Sequence, residues 1–306
     1  MTDVVAGAAT DTGAVREQNE DAVAIWDEQS PHLETNGRLF ALADGMGGHR
    51  RGEVASAEAV KILFERFYAE PVSDVALALK QALRRANELL YQEGAANGLD
   101  QMMGTTLVAG VIRRNLLTVA NVGDSRAYIV RGGRAQQVTR DHSVVAEQVQ
   151  AGKLTAEEAR TSRNRNVITR ALGHQPRVEV DIFEVPLLPR DGIVLASDGL
   201  YHAVSDDELA ALALEGTPAA AAAALVRLAR ERESGDNASA VVVHYERAAT
   251  AALPVTGRDL FETAELPRRE PVAARGPAPL LIAAAVIAAL VVVAVVVLVL
   301  SGVLAF

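Results

Sequence analysis

From residue 280 to 300 the chain runs through 21 consecutive Leu, Ile, Ala and Val residues without one charge, amide or hydroxyl. At 1.5 Å per residue, a helix of that length measures about 32 Å, enough to cross a hydrocarbon core of roughly 30 Å. A helix apolar on every face needs either lipid or a much larger protein around it. The reading is therefore a single C-terminal transmembrane helix, 280–300, followed by a short extracytoplasmic tail, 301–306. Arg268, Arg269 and Arg275 precede the run and nothing basic follows it. By the positive-inside rule the large N-terminal part lies on the cytoplasmic side of the cell membrane, as a single-pass protein. The opening residues lack a basic leader and a long apolar region, so no signal peptide is expected there.

Five prolines lie between Pro254 and Pro279, among Arg, Glu and Ala, without helical or strand periodicity. The stretch 251–279 thus reads as a Pro-rich juxtamembrane linker. Residues 1–250 show no comparable break and form one domain. A net charge of -9 offers no general field for a polyanion, which argues against nucleic acid as a partner. The absence of cysteine excludes disulfide scaffolds, thiolate metal sites and cysteine nucleophiles.

Within the domain, short apolar runs bounded by turn residues predict strands over 4–9, 22–26, 38–43, 106–112, 116–122, 126–130, 178–185, 192–196 and 239–245. The segments 113–115 and 131–133 are short enough to close hairpins, which favours antiparallel pairing. Helical spacing is clearest over 53–68, 73–92, 206–214 and 218–232. Strands in runs with helices grouped between them indicate an α+β layered domain rather than a doubly wound one.

Three predicted strands lead into an aspartate: Asp44 after Leu-Phe-Ala-Leu-Ala, Asp124 after Val122-Gly123, and Asp198 after Ala196-Ser197. A fourth, Asp236, stands just before the run 238–245. Any one of these is an ordinary turn residue. Four brought to one edge repel one another, and relief comes from protonation or from cations. Oxygen donors without a His or Cys cluster suit hard ions, Mg²⁺ or Mn²⁺. Two such ions about 3.5–4 Å apart can activate a water for in-line attack on phosphorus, the chemistry of a phosphohydrolase. No P-loop, kinase Gly-rich loop or nucleophile elbow is present. Arg16, ahead of Asn19-Glu20-Asp21, is a candidate for bidentate contact with a phosphate.

The ordered segments Arg16-Glu17-Gln18-Asn19-Glu20-Asp21-Ala22, Asp44-Gly45-Met46-Gly47-Gly48-His49, Met103-Gly104-Thr105-Thr106, Val122-Gly123-Asp124-Ser125-Arg126-Ala127-Tyr128, Asp141-His142-Ser143, Ile168-Thr169-Arg170-Ala171-Leu172-Gly173, Ser197-Asp198-Gly199-Leu200 and Asp236-Asn237-Ala238-Ser239 resemble the motif series of bacterial metal-dependent protein phosphatases of the 2C (PPM) type. The resemblance spans about residues 4–246. It implies a four-layer αββα sandwich, two antiparallel sheets flanked by helices, with a dinuclear Mn²⁺ or Mg²⁺ centre in a cleft at one edge. It further implies that Asp44 bridges both ions, that the Gly45 carbonyl binds one, and that Asp198 and Asp236 complete the other. Glu20 and Asp21 hold metal-bound waters, Asp124 shares a third, weaker ion with Asp198, and Arg16 clamps the substrate phosphate. The stretch 143–166 corresponds to a mobile flap beside the cleft. Some relatives carry a histidine after the Asp-Gly pair as a proton donor; Met46 stands there in this chain. His49, three residues on, is more simply structural, and His32, His142, His174, His202 and His244 need no catalytic role.

The expected function is a membrane-anchored Ser/Thr phosphoprotein phosphatase opposing bacterial Ser/Thr protein kinases, with phosphorylated Ser/Thr proteins, the kinases included, as partners. Two other readings stay open: an inactive phosphoprotein-binding adaptor, and a phosphatase acting on a phosphorylated anti-sigma antagonist.

Overall fold

A strand whose residues are apolar without alternation has two faces to bury. The run 238–245 is of this kind apart from Ser239 and His244, and all eight of its residues are buried. Val241, Val243 and Tyr245 belong to one hydrophobic cluster, while Ala238, Ala240 and Val242 belong to a second. Successive side chains point to opposite faces of a strand, so this one lies in an inner layer, with a sheet on one side and helices on the other.

The computed structural model describes residues 4–47, 51–96 and 103–246. In chain order these form β1 (Val4–Asp11), β2 (Asp21–Ile25), α1 (Leu33–Asn36), β3 (Arg38–Met46), α2 (Arg51–Phe67), α3 (Val75–Ala96), β4 (Gly104–Thr105), β5 (Leu107–Arg113), β6 (Leu116–Val122), β7 (Arg126–Arg131), β8 (Arg134–Gln137), α4 (Val144–Gln150), α5 (Ala156–Thr161), β9 (Asp181–Pro186), β10 (Asp191–Ala196), α6 (Asp198–Tyr201), α7 (Asp206–Ala213), α8 (Pro218–Glu231) and β11 (Ala238–Tyr245). One antiparallel sheet has the order β1-β11-β10-β7-β8; the other runs β2-β3-β5-β6-β9, with β4 added to β3. Helices α2 and α3 pack on the second sheet, α7 and α8 on the first, and β11 meets β2 and β3 across the middle. This is the expected α+β sandwich of two antiparallel sheets flanked by helices.

The outer helices follow from their spacing. Helix α8 buries Pro218, Ala221, Ala222, Leu225, Val226 and Ala229, a stripe at three- and four-residue intervals. It starts at Thr217, whose hydroxyl accepts from the Ala220 N–H, with Pro218 in the first turn where no amide hydrogen is needed. Its N-terminus rests directly on β1: a Cβ at Gly7 would lie 2.2 Å from the Ala219 nitrogen. The Gly132-Gly133 pair closes the β7–β8 hairpin with φ of 58° and 76°, the left-handed turn that glycine adopts without strain.

Several boundaries differ from the sequence reading. The strand expected over 38–43 continues to Met46 because β4 pairs with Gly45 and Met46, so Asp44 sits inside a strand rather than after it. The strand expected over 178–185 is Asp181–Pro186, set by its pairing with β6. Strands β4 and β8 and helices α1, α4, α5 and α6 carry too few or too polar residues to show a period. The chain divides into two units, Met1–Ala249 and Thr250–Phe306. The second lies outside the described residues, and with it the expected linker 251–279, membrane helix 280–300 and tail 301–306. Among the described residues no helix is long and apolar enough to cross a membrane.

Candidate active site

The β2–β3 register sets Asp21 directly opposite Asp44. Strand β10 pairs with β11 so that Ala196 faces Ala240, which carries Asp198, the first residue of α6, and Asp236, just ahead of β11, to the same edge. Asp124 arrives there from the end of β6. The four aspartates expected from the sequence therefore come within electrostatic range of one another, and Asp21 joins them from across the strand pair. Burial pushes the Asp44 carboxyl well above the usual range, and the charges of Asp21, Asp198, Asp124 and Asp236 push it further. Asp198 is raised to about 6 by burial and Asp236. Asp124 is raised to about 7 by burial, Asp198 and Asp141. Asp21 also reaches about 7, mainly through burial, although the Ser239 and Ser197 hydroxyls pull the other way.

The two facing acids are anchored differently, Asp44 through its backbone and Asp21 through its carboxylate. The Asp44 N–H donates to the Thr106 hydroxyl oxygen (2.9 Å), while the Asp44 carbonyl accepts from the Thr105 hydroxyl and the Thr106 N–H, both at 2.9 Å. Ser239 donates to Asp21 Oδ2 at 2.6 Å. The Glu20 carbonyl accepts from the Gly45 N–H and the Ser56 hydroxyl, which ties the start of β2 to β3 and α2. That packing needs two glycines: a Cβ on Gly45 would lie 2.1 Å from the Gly52 carbonyl oxygen. Burial raises the Glu20 carboxyl as well.

Arg16 stands in the loop between β1 and β2, where it donates to Asp236 Oδ2 at 2.7 Å. The phosphate clamp and the metal ligand expected from the sequence are thus paired with each other. No three His, Asp or Glu side chains among the described residues close on one point tightly enough to hold an ion. The donor set nevertheless fits hard cations. Every candidate atom is oxygen, and Asp21 Oδ1 and Asp198 Oδ1 are buried without any hydrogen-bond partner. A buried unsatisfied polar group costs about 1–3 kcal/mol, and more when charged, and a cation placed among these oxygens relieves that cost together with their repulsion. The nearby Arg126 does not fill this role. It is taken by Asp141, at 2.7 Å, and lies over the Tyr201 ring, 3.7 Å from its centroid.

The segment 143–166 is not a bare loop. Ser143 caps α4 and Thr155 caps α5 with a full capping box, the pattern Thr-x-x-Glu that marks a helix start in the sequence. Its neck is pinned where Val144 donates to the Val167 carbonyl and Thr169 to that of His142. Between those pins, among the described side chains, only Val145 is buried. His142 serves structure: Nδ1 accepts from the Gly123 N–H at 3.0 Å, and Nε2 lies beside Arg170 and Asp181. His244 is buried with Nε2 2.7 Å from the Ala213 carbonyl oxygen. His49 falls outside the described residues.

Sequence reasoning named the acids and missed what positions them: Asn237, Ser239, Thr105, Thr106 and the Arg126–Asp141–Tyr201 group. All except Tyr201 lie within the motif segments, so their positions were visible and their partners were not.

A family model described as protein phosphatase 2C matches residues 5–238. The serine/threonine phosphatase stp of Listeria welshimeri is 36% identical over 208 residues, which make up 65% of this chain and 79% of the relative. The crystal structure of the phosphatase Stp1 from Staphylococcus aureus superimposes with a TM-score of 0.73 at 38% identity, covering 79% of this chain and 95% of that one. The catalytic domain of the phosphatase PstP, solved in complex with two manganese ions, gives a TM-score of 0.69 at 34% identity over 80% of this chain and 99% of that one. Motif order, sandwich, converging aspartates and these likenesses agree: the chain belongs to the protein phosphatase 2C family of metal-dependent serine/threonine phosphatases.

Proposed function

We propose that this chain is a membrane-tethered phosphatase that hydrolyses phosphoserine and phosphothreonine in proteins and opposes Ser/Thr protein kinases at the same membrane. In this reading Asp44, the Gly45 carbonyl, Asp198 and Asp236 hold two Mn²⁺ or Mg²⁺ ions. Asp124 with Asp198 holds a third, weaker one, and Glu20 and Asp21 act through water. When bound, such ions supply Lewis-acid stabilisation of the phosphoryl group and a water of lowered pKa. The observation that carries the reading is the approach of five aspartates from both sheets at one edge of the sandwich, two of them with buried oxygens that lack a partner.

The protein's own residues account for binding and orientation. Strand pairing fixes Asp21 and Asp44 in register, and the Thr105–Thr106 bonds hold Asp44 in place. Arg16 is the phosphate ligand. Its pair with Asp236 is solvent-exposed, with half of the arginine side chain accessible, and such pairs contribute only about 0–1 kcal/mol. Handing the guanidinium to a phosphate dianion, which it can grip with two hydrogen bonds, therefore costs little. The tether is the run 280–300, and Arg268, Arg269 and Arg275 keep the catalytic side cytoplasmic.

The test uses the full chain in detergent. Stripped with a chelator it is inactive on an aryl phosphate and on a phosphothreonine peptide, and Mn²⁺ restores both activities. Asp44→Asn and Asp198→Asn lower kcat at least about 100-fold while the folded far-ultraviolet spectrum persists. A metal-free protein or an Asp44→Asn variant with full activity overturns the mechanism. Comparing phosphoproteomes of cells with and without the protein tests the opposition to kinases; identical threonine phosphorylation in both refutes it.

A further inference from the structure

Asn237 is buried, and its side chain spends both of its donors and one acceptor site on one loop. Its Nδ2 donates to the carbonyls of Thr12, at 2.8 Å, and Gln18, at 3.0 Å; its Oδ1 accepts from the Glu20 N–H at 2.8 Å. The three backbone groups bracket residues 13–17, with Arg16 between the two feet. The loop is pressed onto the same place by a close approach. Gly13 has φ of 79°, and a Cβ there would lie 2.3 Å from the Asp236 carbonyl oxygen. The residue that does the gripping is covalently next to Asp236, whose own Oδ1 accepts from the Asn237 N–H at 2.9 Å.

We infer that Asn237 is a positioning residue that sets the phosphate-binding arginine against the metal-binding edge. One amide fixes the spacing between the loop of Arg16 and the carboxylate of Asp236, and at the same time the start of β2 that carries Glu20 and Asp21. Only a group with two donors and one acceptor in a plane satisfies two carbonyls and one N–H together. A carboxylate of the same shape keeps the bond from Glu20 and turns an oxygen toward the carbonyls of Thr12 and Gln18. This inference rests on the reading of Arg16 as the phosphate ligand.

The experiment is a double-mutant cycle on the full chain in detergent with Mn²⁺, using Arg16→Ala, Asn237→Asp and the double variant. KM and kcat for an aryl phosphate are measured, with hydrogen exchange of the amides of residues 13–20 as a second readout. Asn237→Asp should raise KM roughly tenfold or more while kcat falls less, and should speed exchange in the loop. In the Arg16→Ala background Asn237→Asp should leave KM where Arg16→Ala puts it, because the residue being positioned is gone. Independent, multiplying effects on KM overturn the inference, as does a variant that lowers only the melting temperature. If Arg16→Ala alone leaves KM unchanged, the phosphate role of Arg16 fails, and the exchange data then decide whether Asn237 holds the loop. Unaltered exchange overturns that too. Asn237→Ser, shorter and uncharged, gives the same comparison if the aspartate variant fails to fold.

Discussion

The mutual repulsion of the aspartates makes a prediction about stability that is separate from activity. Asp124 is buried, and its carboxyl rises from the ordinary 3.8 to about 7 through burial and the charges of Asp198 and Asp141. A carboxyl raised by folding binds more protons in the folded chain than in the unfolded one. Its contribution to stability is complete below the unfolded value and is lost as the pH rises through the folded value. Each tenfold change in proton affinity is about 1.4 kcal/mol, so ionised Asp124 costs the metal-free fold up to about 4 kcal/mol at pH 8, and less than half of that at pH 5. Asp124→Asn keeps the shape and removes the charge. For a domain of this size 1 kcal/mol moves the melting temperature by about 2–4 °C. In chelator, the variant should therefore melt roughly 10 °C above the unmodified protein at pH 8, with a much smaller gain at pH 5. Circular dichroism melts at the two pH values measure this directly. Saturating Mn²⁺ should then raise the melting temperature of the unmodified protein more than that of the variant, because cations relieve the same repulsion. A variant that melts at or below the unmodified protein at pH 8, or gains equally at both pH values, refutes the electrostatic account.

At the other end of β10, Asp191 is buried and receives Arg131 through two hydrogen bonds, at 2.8 and 2.6 Å. Asp191→Ala leaves that guanidinium without its carboxylate and with only the Pro186 carbonyl, and should cost about 3–5 kcal/mol; the folded fraction should keep its kcat/KM, and a fall in kcat/KM without a fall in melting temperature contradicts this. Truncation after residue 253 removes the linker and the apolar run, and should move the protein from the membrane fraction to the soluble one with aryl phosphate activity unchanged. A truncated protein that still sediments with membranes, or a catalytic domain digested by protease outside intact spheroplasts, contradicts the proposed tether and its orientation.

Much of the site was legible because its acids adjoin apolar runs. Asp44, Asp124, Asp198 and Asp236 adjoin apolar runs whose strand character is local, and the hairpins at 113–115 and 131–133 announced antiparallel pairing. Helices α4 and α5 were missed because they bury almost nothing, which leaves no apolar period to detect. The extension of β3 through Asp44 to Met46 was missed because it depends on β4, a two-residue strand from another part of the chain.

The sequence by itself determined the four aspartates beside apolar runs, the motif order, the outer helices and the apolar run at 280–300, since each is a matter of residue type and short-range spacing. Only the tertiary structure decided that Asp21 stands opposite Asp44, that Arg16 rests on Asp236, and that the Asn237 amide ties down a loop more than 200 positions away. Those relations are hydrogen bonds and register pairs between distant segments. Their energy depends on where the sheets bring the backbone, and no local pattern of hydrophobicity or propensity records it.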